Sequence, residues 1–248
     1  VSIDVTTPLE GVQQITINRP DKKNAIDRTM YSAMTDAIAA AEAGPNTRAI
    51  VIVGAGGSFT SGNDLADFLA DTDSSAAVNF LRALVLARTP IIAAVEGPAI
   101  GIGSTMLLHC DLAVAARSAK FRMPFTRLGL TPEGGSSLLL PRVAGPKLAA
   151  ELLLFGDPFP PDVALRAGLI NEVVADGEAL SRALSYAERL REVPYESVRA
   201  TKDLLHKERE QILSTIDREV RVFQERLGSD ESSAIIKAMS RMSAPVEK

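Results

Sequence analysis

Two glycine-rich turns are the segments of this chain whose composition and spacing could do chemistry. The first is Gly56-Gly57-Ser58-Phe59-Thr60-Ser61-Gly62-Asn63-Asp64-Leu65. The second is Glu96-Gly97-Pro98-Ala99-Ile100-Gly101-Ile102-Gly103-Ser104-Thr105. Each follows a short apolar run and leads into a helical one. Such turns present backbone N–H groups that no intrahelical carbonyl takes. Set side by side, they could aim two donors at one oxygen, which is how an oxyanion is stabilised. On spacing alone the same glycines also serve as tight chain reversals.

Other uses of these glycines fail on residue identity. A dinucleotide-binding turn at Gly101-Ile102-Gly103 needs glycine where Met106 stands. The Gly-Lys-Ser/Thr of a phosphate-binding loop is absent, and Ser58, Ser61 and Ser104 are not flanked as in a nucleophile elbow. The chain has two histidines, His109 and His206, which argues against a serine triad. His109 and Cys110 lack ligand-spaced companions, so no metal is expected; His109 reads as a helix residue satisfied locally. Glu133, in Leu130-Thr131-Pro132-Glu133-Gly134-Gly135-Ser136-Ser137, reads by itself as the acid of a helix start. Thr131 would be the cap and Pro132 the first helical residue.

The elements that must carry these turns follow from periodicity. Ala49 to Val53, Ile91 to Val95 and Leu112 to Ala116 are short, fully apolar runs, as buried parallel strands are. Val12, Ile15 and Ile17 lie in a strand-like run ending at Arg19-Pro20. Thr29 to Ala43 keeps Met30, Met34, Ala37, Ile38 and Ala41 on one helical face, and Gly44-Pro45 stops it. Strands alternating with helices give an α/β core with crossover connections. From about Gly145 the pattern turns helical, with Ala179 to Arg191 one helix and Ile212, Ile216, Val220, Phe223 and Leu227 the stripe of another. Ser229-Asp230-Glu231 opens a last helix whose apolar face reads as Ala234, Ile235, Ala238, Met239 and Met242. These terminal faces serve subunit packing or burial within the chain. Asp64 reads as the cap of a short helix after the first turn.

Composition narrows the function. A net charge of −4 and a pI near 5.4 argue against nucleic acid as a partner, because phosphate binding wants surplus Lys and Arg. No apolar run reaches the roughly 18 residues of a membrane span, so no membrane partner is expected. Val1 to Thr7 lacks a signal pattern and Pro245-Val246-Glu247-Lys248 is no peroxisomal tail. The single cysteine, Cys110, excludes an internal disulfide. The expected compartment is cytoplasmic.

The whole chain resembles the crotonase superfamily, which includes enoyl-CoA hydratases and enoyl-CoA isomerases. Arg19-Pro20-Asp21-Lys22-Lys23-Asn24-Ala25-Ile26 looks like its CoA-contacting turn, and the two glycine turns look like its oxyanion segments. Cys110-Asp111-Leu112-Ala113 and Ala167-Gly168-Leu169-Ile170-Asn171-Glu172-Val173-Val174 match two further segments, in the right order. The resemblance implies a crotonase-like spiral of repeated ββα units. A core over 1–190 would be followed by a helical C-terminal trimerisation region over 191–248. It implies an acyl-CoA thioester substrate, fatty-acid β-oxidation and a homotrimer or hexamer. It implies no cofactor, coenzyme A being part of the substrate. It places the oxyanion donors at the N–H groups of Ser61 and Ile102. Substrate contacts would come from Lys22, Lys23, Ala25, Gly62, Asn63, Asp64, Leu65, Phe68, Gly101, Phe125 and Leu128. Lys237 and Arg241 of the last helix are further phosphate candidates.

The departures from that pattern select a reaction. Family hydratases use two glutamates, which would fall at Thr105 and Phe125. Neither residue can activate water or protonate carbon. The segment from Pro124-Phe125 to Ser137 is similar instead to peroxisomal-type Δ3,Δ2-enoyl-CoA isomerases, in which the glutamate of the Pro-Glu-Gly segment is the base. The resemblance therefore implies that Glu133 is the catalytic base of a 3-enoyl-CoA to 2-enoyl-CoA isomerase. Alternatives are an enoyl-CoA hydratase or other crotonase reaction, and a catalytically weak acyl-CoA-binding homologue.

Overall fold

The computed structural model describes residues 2–64 and 74–243, with side chains to residue 238 in the last helix. Leu65, Phe68 and the side chain of Arg241, all expected at the site, lie outside the described residues, as does the helix expected after Asp64. A six-stranded sheet forms the backbone of the molecule, in the order β1-β2-β3-β4-β6-β8. Its strands are β1 (Ser2–Leu9), β2 (Val12–Asn18), β3 (Ala49–Gly54), β4 (Ile91–Val95), β6 (Leu112–Ala116) and β8 (Glu172–Val174). β1 and β2 form an antiparallel hairpin, and every later pairing is parallel. The register pairs Val12 with Ala49, Ile50 with Ile91, Ile92 with Leu112, and Val114 with Glu172.

Parallel strands need crossovers, and these put helices on both faces. On one face Ile15, Ile17, Ile50, Ile52, Ile91 and Val95 pack into a core shared with α1 (Arg28–Ala43) and α2 (Ser75–Leu86). On the other, Val12, Val51, Val53, Ile92, Ala94 and Val114 meet α7 (Ala179–Arg191) through Ala179, Ala183 and Ala187. The four-residue spacing puts those alanines on one stripe, and their small size lets the helix lie close to the sheet. Both faces being buried explains why the strands read as continuous apolar runs. Ile91–Val95 and Leu112–Ala116 keep the bounds their sequence indicates, and Asp27 caps α1 by accepting from the Met30 N–H at 3.0 Å.

A second, two-stranded parallel sheet carries the second glycine turn. β5 (Pro98–Ile100) pairs with β7 (Lys120–Arg122), in register Ile100 with Arg122. β5 runs directly into the short helix α3 (Ile102–Thr105). After β7 come α4 (Ser136–Ala144), α5 (Pro146–Phe155) and α6 (Pro161–Arg166), and after α7 come α8 (Tyr195–Leu205), α9 (Arg209–Leu227) and α10 (Asp230–Ser243). α9 packs on α2 and α4, and α10 reaches the turn at Thr126–Leu128, so the C-terminal helices close over the β7–α4 loop.

Two expectations need correction here. The helix expected to start at Thr131-Pro132 starts at Ser136, with Gly135 at the cap position; Glu133 therefore lies in the loop before it. Two successive glycines in the left-handed region delay the helix, because Gly134 and Gly135 have φ of 70° and 74°. In α10, Ser229 caps as expected, taking the Ser232 N–H at 3.3 Å. Among its described side chains the buried ones, however, are Ser232 and Ile236, whereas Ala234 and Ala238 are exposed; the side chains of Met239 and Met242 lie outside the described residues.

Candidate active site

The two glycine turns lie side by side, stitched by backbone hydrogen bonds. The Phe59 N–H donates to Glu96 O at 2.7 Å, the Thr60 N–H to Pro98 O at 2.9 Å and the Ile100 N–H to Thr60 O at 3.0 Å. This approach requires glycine. A Cβ on Gly103 would meet Thr60 Cγ2 at 2.5 Å, and one on Gly62, whose φ is 94°, would meet Ile100 O at 2.9 Å.

The Arg19–Ile26 turn forms the third layer. Asn24, completely buried, is its hub: its Nδ2 donates to Ser58 O at 2.5 Å and Ala55 O at 2.8 Å, and its Oδ1 accepts from the Arg19 N–H at 2.8 Å. Arg19 then reaches Asp64 Oδ2 at 2.7 Å. Neither Asn24 nor Arg19 was expected to organise the site. Asn24 sits at φ 57°, a conformation asparagine tolerates better than most residues, and that preference was its one sequence signal.

The first oxyanion donor needs correction. The Ser61 N–H is already used, donating to Lys23 O at 2.9 Å, and the Ser61 hydroxyl donates to Lys22 O at 3.2 Å. Neighbouring donors are also taken: the Gly62 N–H by Thr60 Oγ1 at 3.0 Å and the Asp64 N–H by Ile26 O at 2.9 Å. Among the described residues, Asn63 and Ile102 are the two residues of these turns that line the cavity and whose N–H groups have no acceptor. The side chain of Asn63 is fixed by the Tyr31 hydroxyl. Parallel bridging of Asn63 with Ile26 turns the N–H of every second residue away from that bond, a pairing the sequence did not reveal.

Both residues line a cavity of about 190 Å³. Ser61, Gly62, Asn63, Gly101 and Ile102 form one wall, and Phe125, Leu128, Leu130, Phe223 and Ile236 form an apolar one. The structure thus brings together Ser61, Gly62, Asn63, Gly101, Ile102, Phe125 and Leu128 of the expected set. Lys22, Lys23, Ala25, Asp64 and Lys237 do not line it. Lys22 and Lys23 are exposed on the turn beside Ser61, Ala25 and Asp64 contact Arg19, and Lys237 is exposed on α10.

Glu133 is buried and is not among the residues that line the cavity; its carboxyl accepts from the Thr105 hydroxyl. Thr105 ends the helix whose first residue is Ile102. Burial pushes the Glu133 carboxyl up to about 7, helped by the negative charge of Glu219, while the Thr105 hydrogen bond pulls the other way. The loop is held by further groups. His109 Nε2 lies 2.6 Å from Gly134 O, so it serves a distant loop and not its own helix. Burial drives the His109 pKa down to about 4, so the ring is neutral and donates. The Ser136 hydroxyl donates to Glu133 O at 2.6 Å. Thr105, His109 and Glu219 were not expected as partners of this loop, since nothing local in sequence links them. Burial first, with the charge of Asp111, pushes the half-buried Cys110 thiol up to about 12, which disfavours the thiolate. Among the described residues no cluster could hold a metal ion, and no helix is long and apolar enough to cross a membrane.

The chain is similar to known proteins in sequence and in fold. Residues 8–243 match the family described as enoyl-CoA hydratase/isomerase. Enoyl-CoA delta isomerase 2 of Homo sapiens is 33% identical over 251 residues, covering 96% of this chain and 64% of the human protein. The chain therefore spans less than two thirds of that relative. The crystal structure of enoyl-CoA hydratase/isomerase from Pseudoalteromonas atlantica superposes with a TM-score of 0.92 at 38% identity, covering 100% of both chains. That of enoyl-CoA hydratase from Bacillus halodurans superposes with a TM-score of 0.87 at 27% identity, covering 95% of this chain and 99% of that one.

Proposed function

Because the chain belongs to the enoyl-CoA hydratase/isomerase family, we propose that it moves the double bond of a 3-enoyl-CoA into conjugation, giving the 2-enoyl-CoA. One observation carries this reading. Glu133 is a buried carboxyl with its pKa near 7, next to the turn that presents the Ile102 N–H. A group with that pKa can both take and return a proton at neutral pH.

The thioester oxygen accepts from the N–H groups of Asn63 and Ile102. The Glu133 carboxylate removes a proton from C2, breaking that C–H bond. The electron pair delocalises over C2–C4 and the thioester, placing charge on the bound oxygen. Each donor is worth about 3 kcal/mol there. The protonated Glu133 then delivers its proton to C4, the C3=C4 pair moves to C2=C3, and the carboxylate is regenerated. The acyl chain lies along Phe125, Leu128, Leu130, Phe223 and Ile236, which keep water from the dienolate. Lys22 and Lys23 attract the phosphates of coenzyme A. Hydration of a 2-enoyl-CoA is very weak on this reading, because Thr105 and Phe125 supply neither carboxylate that it needs. The exposed pair Leu204 and Leu205 of α8 supports assembly as a homotrimer or hexamer, checked by light scattering.

The test is Glu133→Gln assayed with 3-enoyl-CoA. Isomerisation should disappear while acyl-CoA affinity persists. Turnover near that of the native enzyme would sink the reading, and hydration faster than isomerisation in the native enzyme would promote the hydratase alternative.

A further inference from the structure

We propose that Glu219, on α9, is a positioning residue for the Glu133 base: it caps the helix after the Glu133 loop and so fixes where the base stands and how readily it takes a proton. This rests on the isomerase reading above. The case begins with a missing cap. Ser, Thr, Asp or Asn usually satisfies the first N–H groups of a helix from the cap position. At α4 that position is Gly135, which has no side chain and a φ of 74°. Glu219, far along the chain, takes the role. Its Oε2 accepts from the Gly135 N–H at 2.6 Å and its Oε1 from the Ser137 N–H at 2.9 Å.

Each carboxyl oxygen takes one short bond at a positive helix end, a setting that favours negative charge on the acceptor. With Ser136 on Glu133 O and His109 on Gly134 O, they hold the peptide groups that follow the base. The loop has no slack to take up. A Cβ on Gly134 would lie 3.3 Å from Leu81 and 3.4 Å from the Thr105 hydroxyl that holds Glu133. Glu219 is buried and precedes Phe223 by one helical turn. One face of α9 thus clamps the loop and lines the acyl cavity.

A neutral amide would satisfy only one of these two N–H groups, and the carboxylate has a second effect besides capping. The charge of Glu219 acts on the Glu133 carboxyl and favours its protonated form. Among the described residues, the other ionisable groups around the pair are few. Burial pushes the Glu219 carboxyl itself above its usual value, while its bonds to Ser137 and Gly135 and the charge of Arg218 favour the ionised form; His109, across the loop, is neutral. A base made too acidic by its hydrogen bonds would take a C2 proton poorly; Glu219 opposes that.

The experiment compares Glu219→Gln and Glu219→Asp in kcat, KM and pH profile. Glu219→Gln keeps the size but loses the charge and one acceptor. Its kcat should fall roughly tenfold or more, with KM nearly unchanged, since a small misplacement of a catalytic group is costly. Its acid limb should move to lower pH by roughly half a unit, because the like charge is gone. Glu219→Asp keeps the charge and loses reach, so kcat should fall with the limb in place. A rate loss in Glu219→Gln without a shift of the limb would reduce Glu219 to a structural cap and overturn the proposal. Native kcat in Glu219→Asp would also overturn it, and this variant decides alone if the other fails to fold. Glu133→Gln is the control: activity there removes the isomerase reading itself, whereas its inactivity beside an unaffected Glu219→Gln removes only this proposal.

Discussion

Glu133 and Asp111 are both carboxylates set into the interior, and they sit in opposite company. Asp111 is surrounded by donors: Lys202 Nζ at 2.7 Å, the Ile91 N–H at 2.7 Å and His206 Nε2 at 3.2 Å. Burial alone would push its carboxyl up, but His206, the charge and hydrogen bond of Lys202 and the Ile91 N–H outweigh it and hold the group below its usual value. Glu133 has one neutral hydroxyl and a second carboxylate nearby, and rises to about 7. The difference teaches how a fold separates framework from chemistry. A cation fixes the proton state of Asp111 and makes it a tie between β4 and α8. Withholding a cation from Glu133 leaves its proton free to move.

The comparison breaks first at Lys202. Lys202→Met leaves Asp111 largely buried without its cation and should cost about 3–5 kcal/mol of stability, read from urea unfolding. Isomerisation per folded molecule should persist. A loss under 1 kcal/mol would show that the pair is not framework.

Glu133 should give the opposite sign. Its folded pKa lies above its ordinary value of 4.5, so its stabilising protonated form is fully present below pH 4.5 and is lost as pH rises through about 7. Glu133→Gln removes that penalty. The variant should gain up to about 3 kcal/mol over the native protein at pH 8, and nothing from ionisation at pH 4. A variant less stable at pH 8 than at pH 4, relative to native, would contradict the burial of an unpaired charge.

Smaller effects sharpen the picture. Thr105→Val removes the bond that lowers the Glu133 pKa. The acid limb of kcat/KM should move to higher pH, with a cost of about 1 kcal/mol in binding the ionised form. An unmoved limb would detach Thr105 from the base. The smallest effect belongs to Lys22 and Lys23. Replacing both by Ala should raise KM a few-fold at low salt and leave kcat alone, because this attraction is shared by ground and transition states. The effect should fade as the Debye length drops to about 8 Å at physiological salt. An equal KM at low salt would assign them to ordinary surface.

Legibility followed the range of the forces involved. The parallel strands were legible because burial on both faces leaves nothing but apolar residues in them, as in Ile91–Val95. The helices of the last third were legible by period, although among the described side chains of α10 Ser232 and Ile236 are buried and Ile235 only partly so. The sequence left the adjacency of the two glycine turns as a condition, which the structure meets through the Thr60 and Ile100 backbone bonds. The donor within the first turn was not legible. Which N–H remains unpaired depends on Lys23 O and Ile26 O, and these come from a segment some 35 residues away. The helix start at Thr131-Pro132 misled for a related reason. Local capping signals were overridden by Gly134-Gly135 and by Glu219, a partner that only tertiary packing brings near.

On the isomerase reading Glu133, a buried carboxyl with no cation beside it among the described residues, is the base. The most direct measurement is the pH dependence of kcat/KM for 3-enoyl-CoA isomerisation by the native protein, from pH 4.5 to 9. The base works ionised, so the rate should rise tenfold per pH unit on the acid side and level off above an apparent pKa of about 7, the value burial gives Glu133. A profile already flat at pH 5.5 would contradict the claim, since it would require a base with an ordinary carboxylate pKa or none at all.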